Sequence, residues 1–190
     1  MSEISYMYIP RISIPGFPLR GKKKYLSTEE LEKLLDGGVV VEEKLDGKLT
    51  EIDIDPLASR GFHIFAEDLH WKHNIFYNKL PVTNIPFTVV IDIYDPVLNR
   101  YLGLKWVYLD LTKNETPRVL LAGENLKLDY ILPLLETKSA FGDEQIEGVV
   151  IKNYDKQLFG KIVNPRFDNE VDDSAHWLRK KRVSNRIRKE

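Results

Sequence analysis

The stretch VEEKLDGKLTEI, residues 41–52, joins two runs of β-type residues and decides how the first half of the chain folds. An apolar run at 39–41 leads into it, and apolar residues at strand spacing follow it. Asp46-Gly47 in its middle is a favoured two-residue hairpin turn. The residues therefore predict a β-hairpin with Lys44 beside the turn. This lysine is either an ordinary hairpin residue or a nucleophile held by a short, firm turn, and the residues alone allow both.

Helix signals are clearest at residues 27–36. Ser27 and Glu30 have capping-box spacing at the start, and Gly37 suits the C-terminal stop. Further helices are predicted near 73–79, near 125–137 with a kink at Pro133, and in the C-terminal tail.

Strands outnumber helices in the remaining sequence. Their connections are of the hairpin type, which favours an α+β domain with antiparallel sheets. The predicted strands are 39–45, 48–54, 62–67, 87–95, 100–111, 147–153 and 159–164.

The composition bounds the class of protein. With 190 residues, 43% of them hydrophobic, the chain is long enough for one well-buried domain. It contains no cysteine, which excludes disulfides, thiolate zinc sites and cysteine nucleophiles. No run approaches the roughly 20 apolar residues of a membrane span, and the N-terminus lacks the pattern of a signal peptide. We therefore expect a cytoplasmic protein.

Charge is distributed unevenly along the chain. Residues 174–190 hold seven Lys or Arg and one Glu, a balance of +6, whereas the rest of the chain carries −7. A short basic end on an acidic body favours an anionic partner that the tail contacts. A solvated terminus is the alternative.

Lysines and carboxylates recur at or near the predicted strand ends. Asp92 and Lys161 have apolar neighbours on both sides, and a charge in such a run is costly unless it is paired or binds something. Several such residues of mixed sign indicate a shared polar cleft, in which phosphate and metal would satisfy both signs. The set comprises Lys44, Asp46, Arg60, Glu67, Asp92, Glu147, Lys152 and Lys161.

The order of these residues resembles a known family. Lys44-Leu45-Asp46-Gly47 matches the KxDG element of the covalent nucleotidyltransferases, which comprise the ATP-dependent DNA ligases, RNA ligases and mRNA capping enzymes. Within FAEDLHWKHNIFYNKLP (65–81), the His-x-Ile-x-Tyr pattern is similar to RNA ligases of the T4 RNA ligase 2 type. The later motifs of the family are matched by FTVVIDIYD (87–95), EGVVIK (147–152) and FGKIVNPRF (159–167).

The resemblance implies an ATP-grasp-like nucleotidyltransferase domain, which we expect to span residues 1–173 and to be followed by a basic tail at 174–190 that forms a helix. DNA ligases and capping enzymes add a C-terminal OB-fold domain. Only 23 residues follow residue 167, too few for its five strands. We therefore expect no OB-fold domain, and this favours an RNA ligase.

Roles for single residues follow from the same resemblance. Lys44 is the expected nucleophile, which attacks the α-phosphate of ATP and becomes a lysyl-AMP. Asp46 and Glu147 are expected near the reacting centre, as ligands of Mg²⁺ or Mn²⁺. Glu67 is expected to bind the ribose. The full nucleotide-binding set is Glu43, Lys44, Asp46, Gly47, Arg60 (ribose or acceptor phosphate), Glu67, Ile91, Asp92, Glu147, Lys152 and Lys161, the last two for phosphates.

Two positions depart from the family pattern. Ile91 stands where the family often has an aromatic residue that stacks on adenine. The family's fifth motif, which FGKIVNPRF (159–167) resembles, often reads Lys-x-Lys. Here a single Lys161 is present, so one phosphate contact is missing or is supplied elsewhere. Lys156 and Arg166 are the candidates.

Three histidines, His63, His70 and His73, cluster around residues 65–81, where Glu67 resembles the glutamate of the family's third motif. Their spacing of seven and three residues favours surface or packing roles over a metal site, and the resemblance allows His73 a contact with nucleotide or RNA.

The sequence as a whole predicts an ATP-dependent RNA ligase. It would adenylylate its own lysine, pass AMP to an RNA 5′-phosphate and join that end to a 3′-hydroxyl. The tail residues Arg179, Lys180, Lys181 and Arg182 are expected to contact RNA. A DNA nick-sealing ligase and a non-catalytic RNA-binding relic of the ligase fold are the alternatives.

Overall fold

The computed structural model describes residues 5–17, 23–55, 57–103, 116–167 and 183–188. Two four-stranded antiparallel sheets and few helices make up this part of the chain, which confirms the predicted α+β class. Within these ranges, no helix has the length and apolar character that a membrane span requires.

The elements are introduced here in chain order. They are α1 (Thr28–Leu35), β1 (Gly38–Glu43), β2 (Lys48–Ile52), β3 (His63–Asp68), β4 (Thr88–Asp95), β5 (Arg100–Leu102), β6 (Val119–Glu124), α2 (Leu128–Ile131), β7 (Gly148–Asn153) and β8 (Leu158–Val163). Short 3₁₀ turns follow β2 and α2, at Ala58–Arg60 and Leu132–Glu136.

The first sheet has the strand order β6-β1-β7-β8, and the second has the order β2-β3-β4-β5. Six of the eight strands lie where the sequence predicts strands; β5 fills only the first three residues of the strand predicted at 100–111, and 104–115 lie outside the described residues. β6 was not predicted. It forms an edge of the first sheet, where it pairs with β1.

The predicted hairpin at Asp46-Gly47 is wrong, because β1 and β2 lie in different sheets. The chain crosses from one sheet to the other at Lys44–Gly47. Backbone groups at the end of β1 are already used within the first sheet, since the N–H of Lys44 donates to the carbonyl of Gly148 (2.9 Å). The turn-forming residues therefore serve a crossover between sheets.

α1 forms where the sequence predicts it, because its first turn is satisfied locally. Ser27 Oγ accepts a hydrogen bond from the N–H of Glu30 (3.1 Å), and the Glu30 carboxylate accepts one from the N–H of Ser27 (2.8 Å). Leu34 is fully buried against the first sheet, a burial worth about 1.5–3 kcal/mol. α1 and α2 thus cover one face of the first sheet.

The opposite face of the first sheet packs on the second sheet. Phe159 of β8 contacts Tyr101 of β5, with 5.5 Å between ring centroids. A buried ion pair between Lys152 of β7 and Asp92 of β4 joins the same two sheets. The cleft between the sheets is where Lys44 lies.

The helix predicted near 73–79 is wrong, because this segment is irregular and its N–H groups bond to distant side chains. The N–H of Ile75 donates to the Asp46 carboxylate (2.9 Å). The N–H of Tyr77 donates to Oδ1 of Asn185 (2.9 Å). These tertiary bonds replace those that a helix would form within itself. The helix predicted near 125–137 is reduced to the four residues of α2 and a 3₁₀ turn that contains Pro133, in line with the expected kink.

The tail is extended where the structure describes it, so the helix predicted for the tail is wrong over residues 183–188. These residues lie along the segment 69–80, and the N–H of Asn185 donates to the carbonyl of His70 (3.0 Å). Residues 174–182, with the predicted RNA-binding cluster, lie outside the described residues. The division of the chain at 173 stays a prediction.

Candidate active site

Lys44 is the first residue after β1, and its backbone is fixed from both sides of the first sheet. The N–H of Glu43 donates to the carbonyl of Arg118 (2.9 Å), and the N–H of Lys44 donates to that of Gly148 (2.9 Å). The lysine therefore starts from a rigid strand end, which is the arrangement that a positioned nucleophile requires.

The Lys44 ammonium group forms an ion pair with Glu147, the residue before β7. Both side chains are mostly buried, with 19% and 10% of their surfaces exposed. Burial alone would lower the pKa of Lys44, but the nearby carboxylates of Glu147, Glu67 and Asp46 outweigh it and raise the pKa above its usual value. Lys44 is thus held charged in this state, and a lysine must lose a proton before it can attack phosphorus.

Asp46 ties the crossover to the segment 73–79. Its carboxylate accepts the N–H groups of Asn74 and Ile75, the latter at 2.9 Å. The N–H of Asp46 donates to the hydroxyl of Tyr77 (2.9 Å), whose ring is fully buried. The Asp46 oxygens are therefore used to order the backbone beside Lys44.

Gly47 is required because there is no space for a side chain. A Cβ at this position would lie 2.4 Å from the carbonyl oxygen of Asp68 and 2.7 Å from Cδ2 of Leu69. This close approach lets the N–H of Gly47 donate to Oε1 of Glu67 (2.9 Å). The glycine thus brings β3, and with it Glu67, against the crossover.

Glu67 is a carboxylate held close to two others. Burial raises the pKa of Glu67 to about 7, although Lys44 and the N–H of Gly47 both act to lower it. Such a group changes its charge near neutral pH. It accepts a hydrogen bond from a hydroxyl group when charged and is able to donate one when protonated.

Lys152 lies in a separate buried cluster between the two sheets, and 2% of its side chain is exposed. Its ammonium group contacts Glu42 (2.8 Å) and Asp92 (3.0 Å) and donates to the carbonyl of Ile91 (2.7 Å). The Asp92 carboxylate also accepts a hydrogen bond from Tyr154 (2.7 Å). Lys152 and Asp92 therefore join the sheets, and their predicted contacts with nucleotide stay predictions.

Ile91 occupies a β-bulge in β4. Phe65 pairs with Asp92 and Ala66 pairs with Val90, so Ile91 has no partner on β3. A bulge re-aims the side chain of the extra residue. Ile91 is partly buried at the junction of two apolar clusters, one of which contains Leu45 of the crossover. The predicted contact of Ile91 with the nucleotide stays a prediction.

Lys161 of β8 is half-buried and has no acidic partner within ion-pair distance among the described residues. Burial and the positive charges of Lys44 and Arg11 lower its pKa. Its ammonium group lies 5.5 Å from the centroid of the Tyr8 ring. An anion bound beside Lys161 would therefore stabilise the charge of its ammonium group.

Other predicted positions lie apart from Lys44. Arg60 is exposed after β2, at the end of the β2–β3 pair opposite to Gly47, roughly 14 Å along the strand. Glu43 is turned to the other side of β1, where Ser139 and the N–H of Ala140 donate to it, and burial raises its pKa. The roles of Arg60 and Glu43 stay predictions.

The alternative phosphate ligands are engaged elsewhere. Lys156 forms an ion pair with Asp36, and Arg166 donates to Gln145. Their predicted contacts with phosphate stay predictions.

The three histidines do not converge. His63 contacts Glu51 (2.6 Å), His70 packs against Trp71 (4.5 Å between centroids), and His73 is exposed. Among the described residues, no three histidines or acids are placed to hold a metal ion. Mg²⁺ commonly takes one or two carboxylates together with substrate phosphates. Glu147 fits that pattern. Asp46 accepts both backbone N–H groups on Oδ2, and its predicted role as a metal ligand stays a prediction.

Asn185 is a site residue that sequence reasoning missed. Only 2% of it is exposed; its amide accepts the N–H of Tyr77 (2.9 Å) and donates to the carbonyl of Leu69 (2.7 Å). Because Tyr77 in turn bonds to Asp46, the tail supports the crossover. Tyr77 stood in the predicted His-x-Ile-x-Tyr stretch, but no signal in the sequence marks Asn185.

Comparison with known proteins finds a likeness in fold. No protein-family model matches the chain, and no curated protein matches it. An RNA ligase of Naegleria gruberi, in a structure with pyrophosphate, superposes with a TM-score of 0.51 and 17% sequence identity. The match covers 73% of this chain and 53% of the ligase, so the chain spans about half the length of that protein. The chain therefore has an RNA ligase-like fold.

Proposed function

We propose that the protein is an ATP-dependent RNA ligase that works through a lysyl-AMP intermediate. The observation that carries this proposal is the ion pair between Lys44 and Glu147, buried where the chain crosses between the sheets of an RNA ligase-like fold. The similar structure is an RNA ligase with pyrophosphate, and pyrophosphate is the product that attack of a lysine on ATP would release.

In the first step, Nζ of Lys44 attacks the α-phosphorus of ATP. The N–P bond forms, the bond from that phosphorus to the bridging oxygen breaks, and the electron pair leaves with pyrophosphate. Two protons have to leave Nζ, one before the attack, because Lys44 is held as an ammonium group, and one as the N–P bond forms. Glu147, its partner in the ion pair, would receive the first and pass it to solvent, and the second would pass to a phosphate oxygen or to solvent. Phosphate oxygens near Glu147 would favour this transfer by making its carboxylate easier to protonate.

Other residues of the cleft would hold the nucleotide. Glu67 lies beside the crossover and would bind ribose hydroxyls. Lys161, which is partly buried near Lys44, would bind phosphate oxygens. Ile91 would contact the adenine. A divalent metal held by the phosphates and by Glu147, once Glu147 has passed its proton to solvent, would supply positive charge to the reacting phosphoryl group.

The later steps would use RNA ends. AMP would pass to a 5′-phosphate, and a 3′-hydroxyl would then displace AMP to form the new phosphodiester. The basic residues Arg179–Arg182 of the predicted tail are suited to the RNA backbone. A DNA ligase would need the same groups, so RNA and DNA strands have to be compared directly.

The test is incubation with Mg²⁺ and ATP labelled at the α-phosphate, followed by a denaturing gel. We expect label on the wild type and none on Lys44→Ala. Lys48→Ala is the matched control, because Lys48 is exposed four residues away and should leave labelling intact. Intact mass beforehand identifies protein that already carries AMP, which pyrophosphate would remove.

Absence of label on protein shown to be free of AMP would contradict the proposal. The remaining interpretation would be a non-catalytic RNA-binding relic of the ligase fold. If label appears, nicked and single-stranded RNA and DNA substrates with 5′-phosphates decide the substrate. Sealing of DNA in preference to RNA would favour the DNA ligase alternative.

A further inference from the structure

The proposed phosphate-binding lysine of the candidate site, Lys161, lies on β8. Its surroundings contain a second cation, Arg11, which no sequence motif predicts. The N-terminal segment runs beside β8. The N–H of Lys161 donates to the carbonyl of Pro10 (3.0 Å), and the N–H of Ile12 donates to the carbonyl of Lys161 (2.8 Å). Arg11 is thereby paired with Lys161 in a parallel bridge. Neighbouring strands lie about 4.8 Å apart, so the two residues start from adjacent backbone positions.

The side chain of Arg11 lies on the face of the first sheet that carries the site. Ile12 is buried with Leu34 on the face that α1 covers. Gly160 faces the same way, since a Cβ there would lie 2.8 Å from Leu34 and 2.9 Å from Ile12. Side chains alternate along extended backbone, so Arg11 and Lys161 both point away from α1.

That face is the one where Lys44 meets its carboxylates. Along the register of the sheet, Glu42 of β1 pairs with Val150 of β7, and Val150 pairs with Lys161 of β8. Arg11 extends this row by one position. Lys44 lies two residues beyond Glu42. Lys161 and Arg11 therefore lie further across the sheet than Lys44, in the direction of the N-terminal segment.

The electrostatics agree with this placement. Burial and the positive charges of Lys44 and Arg11 lower the pKa of Lys161, although Glu147 and Glu67 act to raise it. Tyr8, 60% exposed, places its ring 5.5 Å from the Lys161 ammonium group. The first sheet thus gathers Lys161 and Arg11 on the β8 side of Lys44. A guanidinium group binds two phosphate oxygens at once, which a lysine does not.

We propose that Arg11 binds the β- and γ-phosphates of ATP, the part that leaves as pyrophosphate, and so supplies the phosphate contact that the fifth motif lacks. This inference rests on the proposed function for the identity of the ligand. It assigns the adenosine to the Glu67 side of Lys44 and the leaving group to the Arg11 side.

The experiment measures binding of inorganic pyrophosphate with Mg²⁺, and separately of AMP, by calorimetry. The proteins are the wild type, Arg11→Gln, Arg11→Lys and Lys33→Gln. Lys33 is a matched control for the lost charge, because it lies on α1 beyond the opposite face of the sheet and is 61% exposed. Thermal unfolding of each variant checks that it is folded.

We expect Arg11→Gln to weaken pyrophosphate binding about tenfold or more while AMP binding is unchanged. Arg11→Lys should fall between Arg11→Gln and the wild type. Equal pyrophosphate affinity in Arg11→Gln and Lys33→Gln overturns the inference, and so does an equal loss of AMP affinity or a wild type that binds no pyrophosphate. ATP labelling tests the ligase proposal separately. If Arg11→Gln selectively loses pyrophosphate binding but the wild type takes no label from ATP, the anion site is supported and the catalytic function is rejected.

Discussion

Replacement of Lys152 by methionine tests whether this lysine joins the sheets or binds substrate phosphates. Methionine keeps most of the side-chain volume and removes the charge. Two carboxylates, of Glu42 and Asp92, then remain buried without the cation that lies 2.8 and 3.0 Å from them, and the carbonyl of Ile91 loses its donor at 2.7 Å.

The expected loss is large because a buried charge is left unpaired. Breaking a buried ion pair from one side costs about 3–5 kcal/mol. For a protein of this length, such a loss lowers the melting temperature by about 6–20 °C. Lys33→Met is the control, because its pair with Glu29 is exposed and is worth less than about 1 kcal/mol.

The loss should also depend on pH in a defined direction. Burial raises the pKa of Glu42 above its usual value even with Lys152 present. Without the lysine, the folded state gains more free energy by taking up a proton. Lys152→Met should therefore be least destabilised at acid pH, and the destabilisation should grow as pH rises through the raised pKa of Glu42. Adding Glu42→Gln should recover part of the stability at neutral pH.

Urea unfolding of both variants between pH 5 and 8 provides the measurement. Lys152→Met within about 1 kcal/mol of Lys33→Met at every pH would refute the reasoning. If stability were kept while pyrophosphate affinity fell, Lys152 would be a phosphate ligand, as the sequence predicts.

Two further predictions concern the residues around Lys44. Glu67→Gln should flatten the dependence of unfolding free energy on pH: a carboxyl with its pKa raised to about 7 stabilises the fold at low pH and loses that contribution as pH rises from about 4.5 through 7. If the unfolding free energies of the wild type and Glu67→Gln change in parallel from pH 5 to 8, this prediction is contradicted. Asn185→Ala should cost about 2–4 kcal/mol, because it leaves the N–H of Tyr77 and the carbonyl of Leu69 without partners. It should also slow self-adenylylation at saturating ATP, whereas Ser184→Ala, at an exposed position, should do neither.

The sequence predicts best those features that neighbouring residues determine. The capping box of Ser27 and Glu30 is complete within four residues, and α1 forms there. Most strands follow from local apolar patterns. β6 was missed because VLLAGE alternates weakly and contains Gly123, so that its pairing with β1, about 80 residues earlier, decides its structure.

Partners distant in sequence explain the errors. Asp46-Gly47 suits a hairpin turn and a crossover equally well, and only the pairing of β1 with β7 selects the crossover. Segment 73–79 is kept from a helix by Asp46 and Asn185. The motif residues Lys44, Glu67, Glu147 and Lys161 do lie around one cleft, whereas the sequence pattern did not distinguish the buried cluster of Lys152 from that cleft.

The docking of residues 183–188 also bears on the order of folding. Asn185 is 108 residues from Tyr77 and Glu147 is 103 residues from Lys44. Contacts of such separation require closure of long loops, which opposes their early formation. The cleft should therefore be completed late, after local hairpins such as β2–β3 and β7–β8. A partly folded chain would contain much native strand structure and yet lack a positioned lysine, so that any activity of Lys44 would report on complete folding.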